Sequence, residues 1–353
     1  MNLYENGLYV DDVEYVAGLE LPWDKLAGKS VLLSGATGLV GSFLVDVILT
    51  KNMQGLDCTV YALGRSKKKA ERRFSKWFAD ERFKFILHDI NTPLTQYDLG
   101  SVDYVLHLAS NTHPMQYSTD PIGTITTNII GVKNMLDFAS EHSTARFLFS
   151  SSNEIYGENR GDIEVFNEKY CGYIDCNTMR AGYPESKRCS ETLCQAYKVQ
   201  KGLNVVIPRL TRSYGPTMLM SDTKAISQFI RKGIAGTDIV LKSAGTQYYS
   251  YTYVADAVSG PLYVLLKGEN GEAYNIADKR SDIMLKDLAN IIAQIAGTRV
   301  AFEAPDAVEA AGYSKATKAR LDGSKLNSLG WIARYDIRNG LERTISILKM
   351  VNV

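Results

Sequence analysis

Three glycines, Gly35, Gly38 and Gly41, recur at every third position between an apolar run and an amphipathic helix pattern, and no other feature narrows the fold as far. The run KSVLLSG before them reads as a buried strand, and Leu39, Phe43, Val47 and Ile48 after them mark the inward face of a helix. A strand that turns straight into a helix through G-x-x-G-x-x-G needs glycine because its backbone must turn tightly and approach an anion closely. The helix N-terminus then meets that anion's charge. The pyrophosphate of a dinucleotide suits such a turn, with Thr37, Leu39 and Val40 completing the cradle.

The rest of the chain agrees with that start. The β-rich runs KSVLLSG, CTVYALG, RFKFIL, VDYVLHLAS, ARFLFSSS and NVVIPRL alternate with helical patterns, which predicts a parallel sheet covered by helices on both faces. Ile125, Ile129, Val132, Leu136 and Ala139 recur at steps of four and three and predict one apolar helix face in the core. Beyond Gly215-Pro216 the elements shorten, with one more strand-like run, EAYNIA, before a helix from about Leu285 to Ala296. The expected architecture is α/β: a Rossmann-type doubly wound parallel sheet with a smaller C-terminal substrate-binding lobe. Residues 1–24 form an acidic extension, either a latch over a neighbouring subunit or a frayed tail. Residues 25–211 form the dinucleotide-binding domain, rejoined by about 248–278, and 212–247 with 279–353 form the lobe.

Composition removes several function classes. Of the 353 residues, 45% are hydrophobic and 22% charged, and the formal net charge is +1, so no broad field draws the protein to nucleic acid or to an anionic membrane. Phosphate recognition must be local. The start MNLYENGLYVDD lacks the basic and apolar regions of a secretory signal, and the apolar stretch from Val31 to Leu49 is broken by Ser34, three glycines and Asp46. A cytoplasmic address is expected. Cys58, Cys171, Cys176, Cys189 and Cys194 are odd in number, and the C-x4-C pairs differ from the usual spacings of structural zinc, so reduced thiols and no metal are expected.

The end of the second strand is where an Asp or Glu would bond the 2′-hydroxyl of NAD. Ala62-Leu63-Gly64-Arg65-Ser66 stands there instead, followed by Lys67 to Lys69. Arg65 and Ser66 suit a 2′-phosphate, and the residue chemistry leans to NADP. Asp89, after the third strand, is placed to meet the adenine edge. Ile90, Leu108, Ala109, Ser110, Asn128 and Ser150 are read as further cofactor contacts.

Tyr183 and Lys187 are one helical turn apart and share a face. A Lys ammonium beside the phenol, with the positive charge of an oxidised nicotinamide, favours tyrosinate and makes Tyr183 a usable base. Ser150-Ser151-Ser152-Asn153-Glu154 begins where the fifth strand should end, on the side of the sheet where ligands gather. Ser152 is suited to bond a hydroxyl that is becoming a carbonyl, and Glu154 to act as a second acid or base.

GATGLVG, VLHLAS, SSSNEIYG, Tyr183-x-x-x-Lys187, RLTRSYGP, YTYVADAV and LDGSKLNSLGW together resemble the extended short-chain dehydrogenases/reductases of the NAD-dependent epimerase/dehydratase family. The likeness runs from about Lys29 over nearly the whole chain. It is nearest to the UDP-glucuronate decarboxylase (UDP-xylose synthase) group, through LHDINTPL, HLASNTHPMQYSTDPIGTITTNIIGVKNML and CGYIDCNTMRAGYPESKRCSETLCQAY. Arg180, three residues before Tyr183, is similar to an arginine that the decarboxylases carry. The resemblance implies oxidation of a nucleotide sugar at C4 by bound NAD, reaction of the 4-keto sugar and return of the hydride. It assigns Tyr183 as base, Lys187 as activator and ribose anchor, Ser152 as hydroxyl partner and Glu154 as auxiliary acid or base. It also implies a homodimer through helices near Thr126–His142 and Pro184–Val199.

Two positions depart from that pattern. Tyr249 stands where the family has an arginine that contacts the substrate diphosphate, while Arg212 stands where it has Asn, so Arg212, with Lys224 or Arg320, is expected to supply the missing anion contact. Asn153 replaces a serine of the decarboxylase pattern and leaves C4 epimerisation and 4,6-dehydration open. A non-catalytic redox sensor would tend to lose the Tyr183/Lys187 pair, and a reductase of small lipophilic carbonyls would not need the segments after Pro208.

Overall fold

Each apolar run expected to be a strand is one in the computed structural model, which describes residues 2–95, 97–112, 114–305 and 317–351. β1 (Ser30–Ser34) is buried at all five positions, as a strand covered on both faces must be. It leads into α2 (Leu39–Met53), following α1 (Gly7–Ala17). The chain continues through β2 (Thr59–Gly64), α3 (Lys67–Arg73), β3 (Phe83–Leu87), β4 (Tyr104–His107), α4 (Pro114–Thr119), α5 (Pro121–Glu141) and β5 (Arg146–Phe149). Then come β6 (Ser151–Ser152), α6 (Gly182–Lys201), β7 (Val205–Leu210) and β8 (Arg212–Tyr214).

The second half holds α7 (Ala225–Ile234), β9 (Ile239–Leu241), β10 (Tyr248–Tyr253), α8 (Val254–Lys267) and β11 (Ala273–Ile276). It ends with β12 (Asp282–Met284), α9 (Leu285–Ala296), β13 (Val300–Phe302), β14 (Lys318–Ala319) and α10 (Ile337–Val351). The part of the expected lobe at 306–316 lies outside the described residues.

The main sheet runs β3-β2-β1-β4-β5-β7-β11, all pairs parallel, and β6 extends the β5 side by pairing with β7. Strand order reverses at β1/β4, which opens a crevice at the carboxyl ends of those strands where ligands bind in such sheets. β8, β10, β12 and β14 form a second sheet, and β9 pairs with β13. No helix among the described residues is long and apolar enough to cross a membrane.

Two details differ from the sequence reading. Val132, Leu136 and Ala139 of α5 are fully buried, but Ile125 is 37% exposed. At 21 residues α5 is roughly 31 Å long, while four-residue strands span roughly 13 Å, so its first turns overhang the sheet. The N-terminal extension is not a frayed tail. Tyr4 and Tyr9 on it donate hydrogen bonds to Asp46 of α2, which also takes Trp77 Nε1 at 2.7 Å and Arg73 at 2.6 Å. Asp12, wholly buried, accepts from Tyr253 (2.6 Å) and Tyr335 (2.5 Å) and pairs with Arg343 of α10 at 2.9 Å. Each buried carboxylate thus has the partners that its desolvation demands.

Candidate active site

The glycine turn is built as its chemistry requires. Gly35 has φ +73°, and a Cβ there would lie 2.7 Å from the Ala109 nitrogen, so the turn presses against the loop after β4. A Cβ on Gly41 would strike the Gly35 carbonyl, which lets α2 start directly against the turn. The Gly38 N-cap makes no side-chain hydrogen bond, leaving the first N–H groups of α2, those of Leu39, Val40 and Gly41, for an anion. The cradle therefore fits a dinucleotide pyrophosphate. Thr217 donates to the Leu39 carbonyl at 2.8 Å and ties this turn to the segment after β8.

The other residues expected around a dinucleotide fall along the same edge. Leu108 N bonds the Ser34 carbonyl, and Ala109 N reaches Ser34 Oγ at 3.3 Å. Ile90 is buried against Gly131 of α5, and Asn134 donates to its carbonyl. Asp89 is exposed, with one oxygen accepting from Asn91 N. Arg65 and Ser66 are exposed at the end of β2, where the Ser66 hydroxyl caps α3 by accepting from Lys69 N.

α6 delivers Tyr183 and Lys187 side by side, both buried. Ser152 and Ser110 stand by the Tyr183 phenol and both act to lower its pKa. Ser110 also donates to Asn128 Oδ1 (2.7 Å), whose amide donates to Ser186 (2.8 Å) one turn along α6. Burial dominates the phenol, pushing its pKa up to about 12 against the two serines and Arg180. Lys187 donates to the Ser150 carbonyl at 2.9 Å, lies 4.7 Å over the Phe149 ring, and is brought down to about 7 by burial, which Glu191 only partly offsets. Desolvation governs both groups, so the fold by itself does not lower the Tyr183 phenol; the expected tyrosinate draws also on the positive charge of an oxidised nicotinamide.

Glu154 follows β6 in a short 3-10 turn and is clasped by two guanidiniums, Arg180 at 2.6 Å and Arg212 at 3.9 Å. Burial alone would raise its pKa, but Arg180 and then Arg212 outweigh that and hold it below the usual carboxylate range. Glu154 is thus an ionised base at neutral pH. Arg212 lies 3.5 Å over the Tyr249 ring, so the tyrosine in β10 serves as a platform for the arginine in β8. Glu154, Arg180 and Arg212 line an open cleft together with Asn153 and Tyr173.

The remaining two candidates stand apart. Lys224 pairs with Asp222 at 3.0 Å and reaches Thr112 at 3.3 Å, beside the loop after β4. Arg320 lies over Tyr248 and bonds Glu164 at 3.0 Å, and it is not among the cleft's lining residues.

Two contributors escaped the sequence reading. Tyr117 of α4 stacks on Tyr183, centroids 4.9 Å apart at 24°, and the Arg180 guanidinium lies 4.9 Å from the centroid of the Tyr117 ring. Nothing in THPMQYSTDP marks that tyrosine. Glu191, one turn beyond Lys187, accepts two bonds from Arg209 (3.0 and 2.7 Å) and one from Ser151. Its i+4 spacing from Lys187 was a usable signal.

The profile of the NAD dependent epimerase/dehydratase family matches residues 31–277. The chain belongs to that family. It is 32% identical to UDP-glucuronic acid decarboxylase 1 of Xenopus tropicalis over 90% of this chain and 71% of that protein. Among solved structures it is similar to a double mutant of a dTDP-glucose 4,6-dehydratase from Streptomyces venezuelae with NAD bound. That likeness has TM-score 0.78 and 25% identity, covering 90% of this chain and 96% of the other. A UDP-glucuronic acid 4-epimerase from Bacillus cereus shares the fold, with TM-score 0.77 and 23% identity over 91% of this chain and 99% of that one.

Proposed function

We propose that this family member is a nucleotide-sugar enzyme that oxidises an anionic sugar at C4 and decarboxylates it, with UDP-glucuronate as the substrate of first choice. The observation that carries the reading is the Glu154 carboxylate held between Arg180 and Arg212. Two cations and one anion leave an unbalanced positive charge beside the Tyr183 and Ser152 hydroxyls, which favours a sugar bearing a carboxylate over a neutral hexose. Similarity to UDP-glucuronic acid decarboxylases supports the same choice.

A nicotinamide dinucleotide would be held by the Gly35–Gly41 turn and the first N–H groups of α2. When bound, it would supply the hydride acceptor for oxidation at sugar C4 and the hydride donor for the return. Tyr183 takes the proton of the C4 hydroxyl, Ser152 holds that oxygen, and Lys187 anchors the nicotinamide ribose. Once C4 is a ketone, the carboxylate on C5 is a β-keto acid; carbon dioxide leaves, and the electron pair of the broken bond passes into the C4 enolate. Protonation at C5, with Glu154 ordering the donor, completes the step. Arg212 on its Tyr249 platform, 3.9 Å from Glu154, supplies that surplus charge.

We further place residues 25–211, with 248–278, as the dinucleotide-binding domain and the remainder beyond 211 as the substrate lobe. The enzyme pairs as an isologous dimer through α5 and α6, whose outer faces carry Ile122, Ile130 and Val199 at 75%, 44% and 81% exposure. Its five free thiols suit a reducing cytoplasm.

The deciding experiment incubates the purified chain with UDP-glucuronate and with UDP-, CDP- and dTDP-hexoses, each with NAD or NADP, and reads products by mass spectrometry. Loss of carbon dioxide from UDP-glucuronate is the expected outcome. An intact UDP-glucuronate beside a dehydrated or epimerised hexose would replace the decarboxylase reading with a dehydratase or epimerase one.

A further inference from the structure

We propose that Phe149 is the positioning residue for Lys187: its ring, at the end of β5, supports the ammonium directly and so sets how much of that charge the fold preserves. As ribose anchor and activator of Tyr183, the role proposed above, Lys187 needs the charge, and only the consequence for cofactor binding rests on that role. Lys187 Nζ lies 4.7 Å from the centroid of the Phe149 ring and donates to the Ser150 carbonyl at 2.9 Å, so two successive residues at one strand end hold it. Phe149 is wholly buried and Lys187 is 3% exposed, and a desolvated cation gains more from the face of an aromatic ring than one in water does.

The ring is itself fixed. His107 of β4 is the register partner of Phe149, and the two rings stack with centroids 6.1 Å apart at 15°. Ser34 Oγ receives the Ala109 N–H at 3.3 Å and directs its own proton to His107 Nδ1, 2.8 Å away. Burial, and then the Lys187 charge, brings the imidazole down to about 3, so it stays neutral and adds no repulsion. The Phe149 ring is therefore blocked on its β4 side by a residue that is held in turn by the end of β1.

The other titratable groups that bear on Lys187 come from its own helix. Glu191 and Cys194 lie further along α6, the first engaged by Arg209 through two bonds and the second held as a thiol by burial. Tyr183 lies one turn before it, with its ring centroid 6.0 Å from the ammonium. A carboxylate in place of Phe149 would fix the lysine as a cation. A ring quadrupole carries no net charge, so it favours the ammonium without committing it, and Lys187 still titrates near 7. For a desolvated cation the ring is worth about one pH unit. Without it the ammonium fraction at pH 7 falls from about half to about one in eleven, roughly five-fold.

The test is a pH titration of Lys187 by NMR in the full chain stripped of nucleotide, with lysine labelled at Cε and the signal assigned by its loss in Lys187→Met. Phe149→Leu should lower the midpoint by about one pH unit. Phenylalanine carrying one, two or three ring fluorines at position 149, introduced by codon suppression, keeps the shape while draining the quadrupole, and the midpoint should fall stepwise with fluorine number. Calorimetry with NAD should show binding about five-fold weaker for Phe149→Leu at pH 7 and nearly unchanged at about pH 5. A midpoint that stays put through the fluorine series overturns the inference whatever Phe149→Leu does, because repacking alone would then account for the leucine result. A midpoint that falls while NAD affinity holds keeps the Phe149 support and removes only the ribose-anchor role.

Discussion

Replacing Glu154 by Gln removes the one negative charge between two guanidiniums and keeps the side chain's shape. Arg180 and Glu154 expose only 12% and 19% of their side chains, so the pair sits near the buried end of the range for ion pairs. Truncating one partner of a fully buried pair costs about 3–5 kcal/mol. The Gln oxygen still accepts one bond from Arg180 and the cleft admits water, so a loss of about 2–3 kcal/mol is expected.

For a chain of 353 residues, an unfolding entropy near 2.1 cal/mol/K per residue converts that loss to a fall in Tm of roughly 3–4 °C. A ligand carboxylate should replace the missing charge. Differential scanning fluorimetry should therefore show UDP-glucuronate raising the Tm of Glu154→Gln by more than it raises the wild type, while UDP-glucose raises both equally. Turnover should fall by about 10²–10⁴-fold if the carboxylate also orders proton transfer. A Tm unchanged within a degree, or equal shifts with the two nucleotide sugars, would refute the view that Glu154 balances a surplus of positive charge.

Other expectations follow from the same geometry. Asp12→Ala leaves the Tyr253 and Tyr335 hydroxyls and the Arg343 guanidinium without their shared acceptor, and should cost about 3–5 kcal/mol in urea unfolding, with no change in cofactor affinity for the fraction that stays folded. Gly35→Ala forces a methyl against Ala109 at φ +73° and should abolish dinucleotide binding measured by fluorescence titration. Lys187 titrates near 7 in the fold and near 10.5 when unfolded, so between those values folding releases a proton and wild-type stability rises with pH. Lys187→Met lacks that slope. The wild-type stability relative to the variant should rise by about 2 kcal/mol from pH 7 to pH 9 in parallel unfolding series, and a flat difference would show that the lysine is not depressed.

What could be read from the sequence is what depends on local pattern. β1, its glycine turn and α2 were legible because a strand, a turn and a helix lie in sequence order, and Tyr183 with Lys187 because one helical turn fixes their common face. Glu154 was legible as a candidate, but its state was not. That depends on Arg180 and on Arg212, which arrive from 26 and 58 residues away, the first through the turn before α6 and the second through β8. The place of residues 1–24 was hidden for the same reason: Asp12 reads as a surface acid until Tyr253, Tyr335 and Arg343 close around it. Tyr117 lies in a stretch without periodicity, and only the packing of α4 on the start of α6 reveals its stack.

The Glu154 cluster and the Tyr183 and Lys187 pair meet the same electrostatic problem by opposite means. Around Glu154, charge is nearly balanced in advance: Glu154 offsets one of two guanidiniums, and the surplus is a single positive charge that suits the anionic sugar proposed above. At the Tyr183 and Lys187 pair, burial suppresses charge, holding the phenol protonated up to about 12 and letting the lysine lose its proton near 7. Neither group is therefore set for base catalysis by the fold alone. A phenol so placed ionises when positive charge is brought beside it, and an amine so placed becomes an ammonium when hydroxyl or carboxylate oxygens surround it. Glu191 already pulls Lys187 that way, and Arg209 holds Glu191 by two bonds. Activation of Tyr183 thus belongs to the liganded site rather than to the folded chain, which confines a strong base to the moment when a substrate hydroxyl is present to use it.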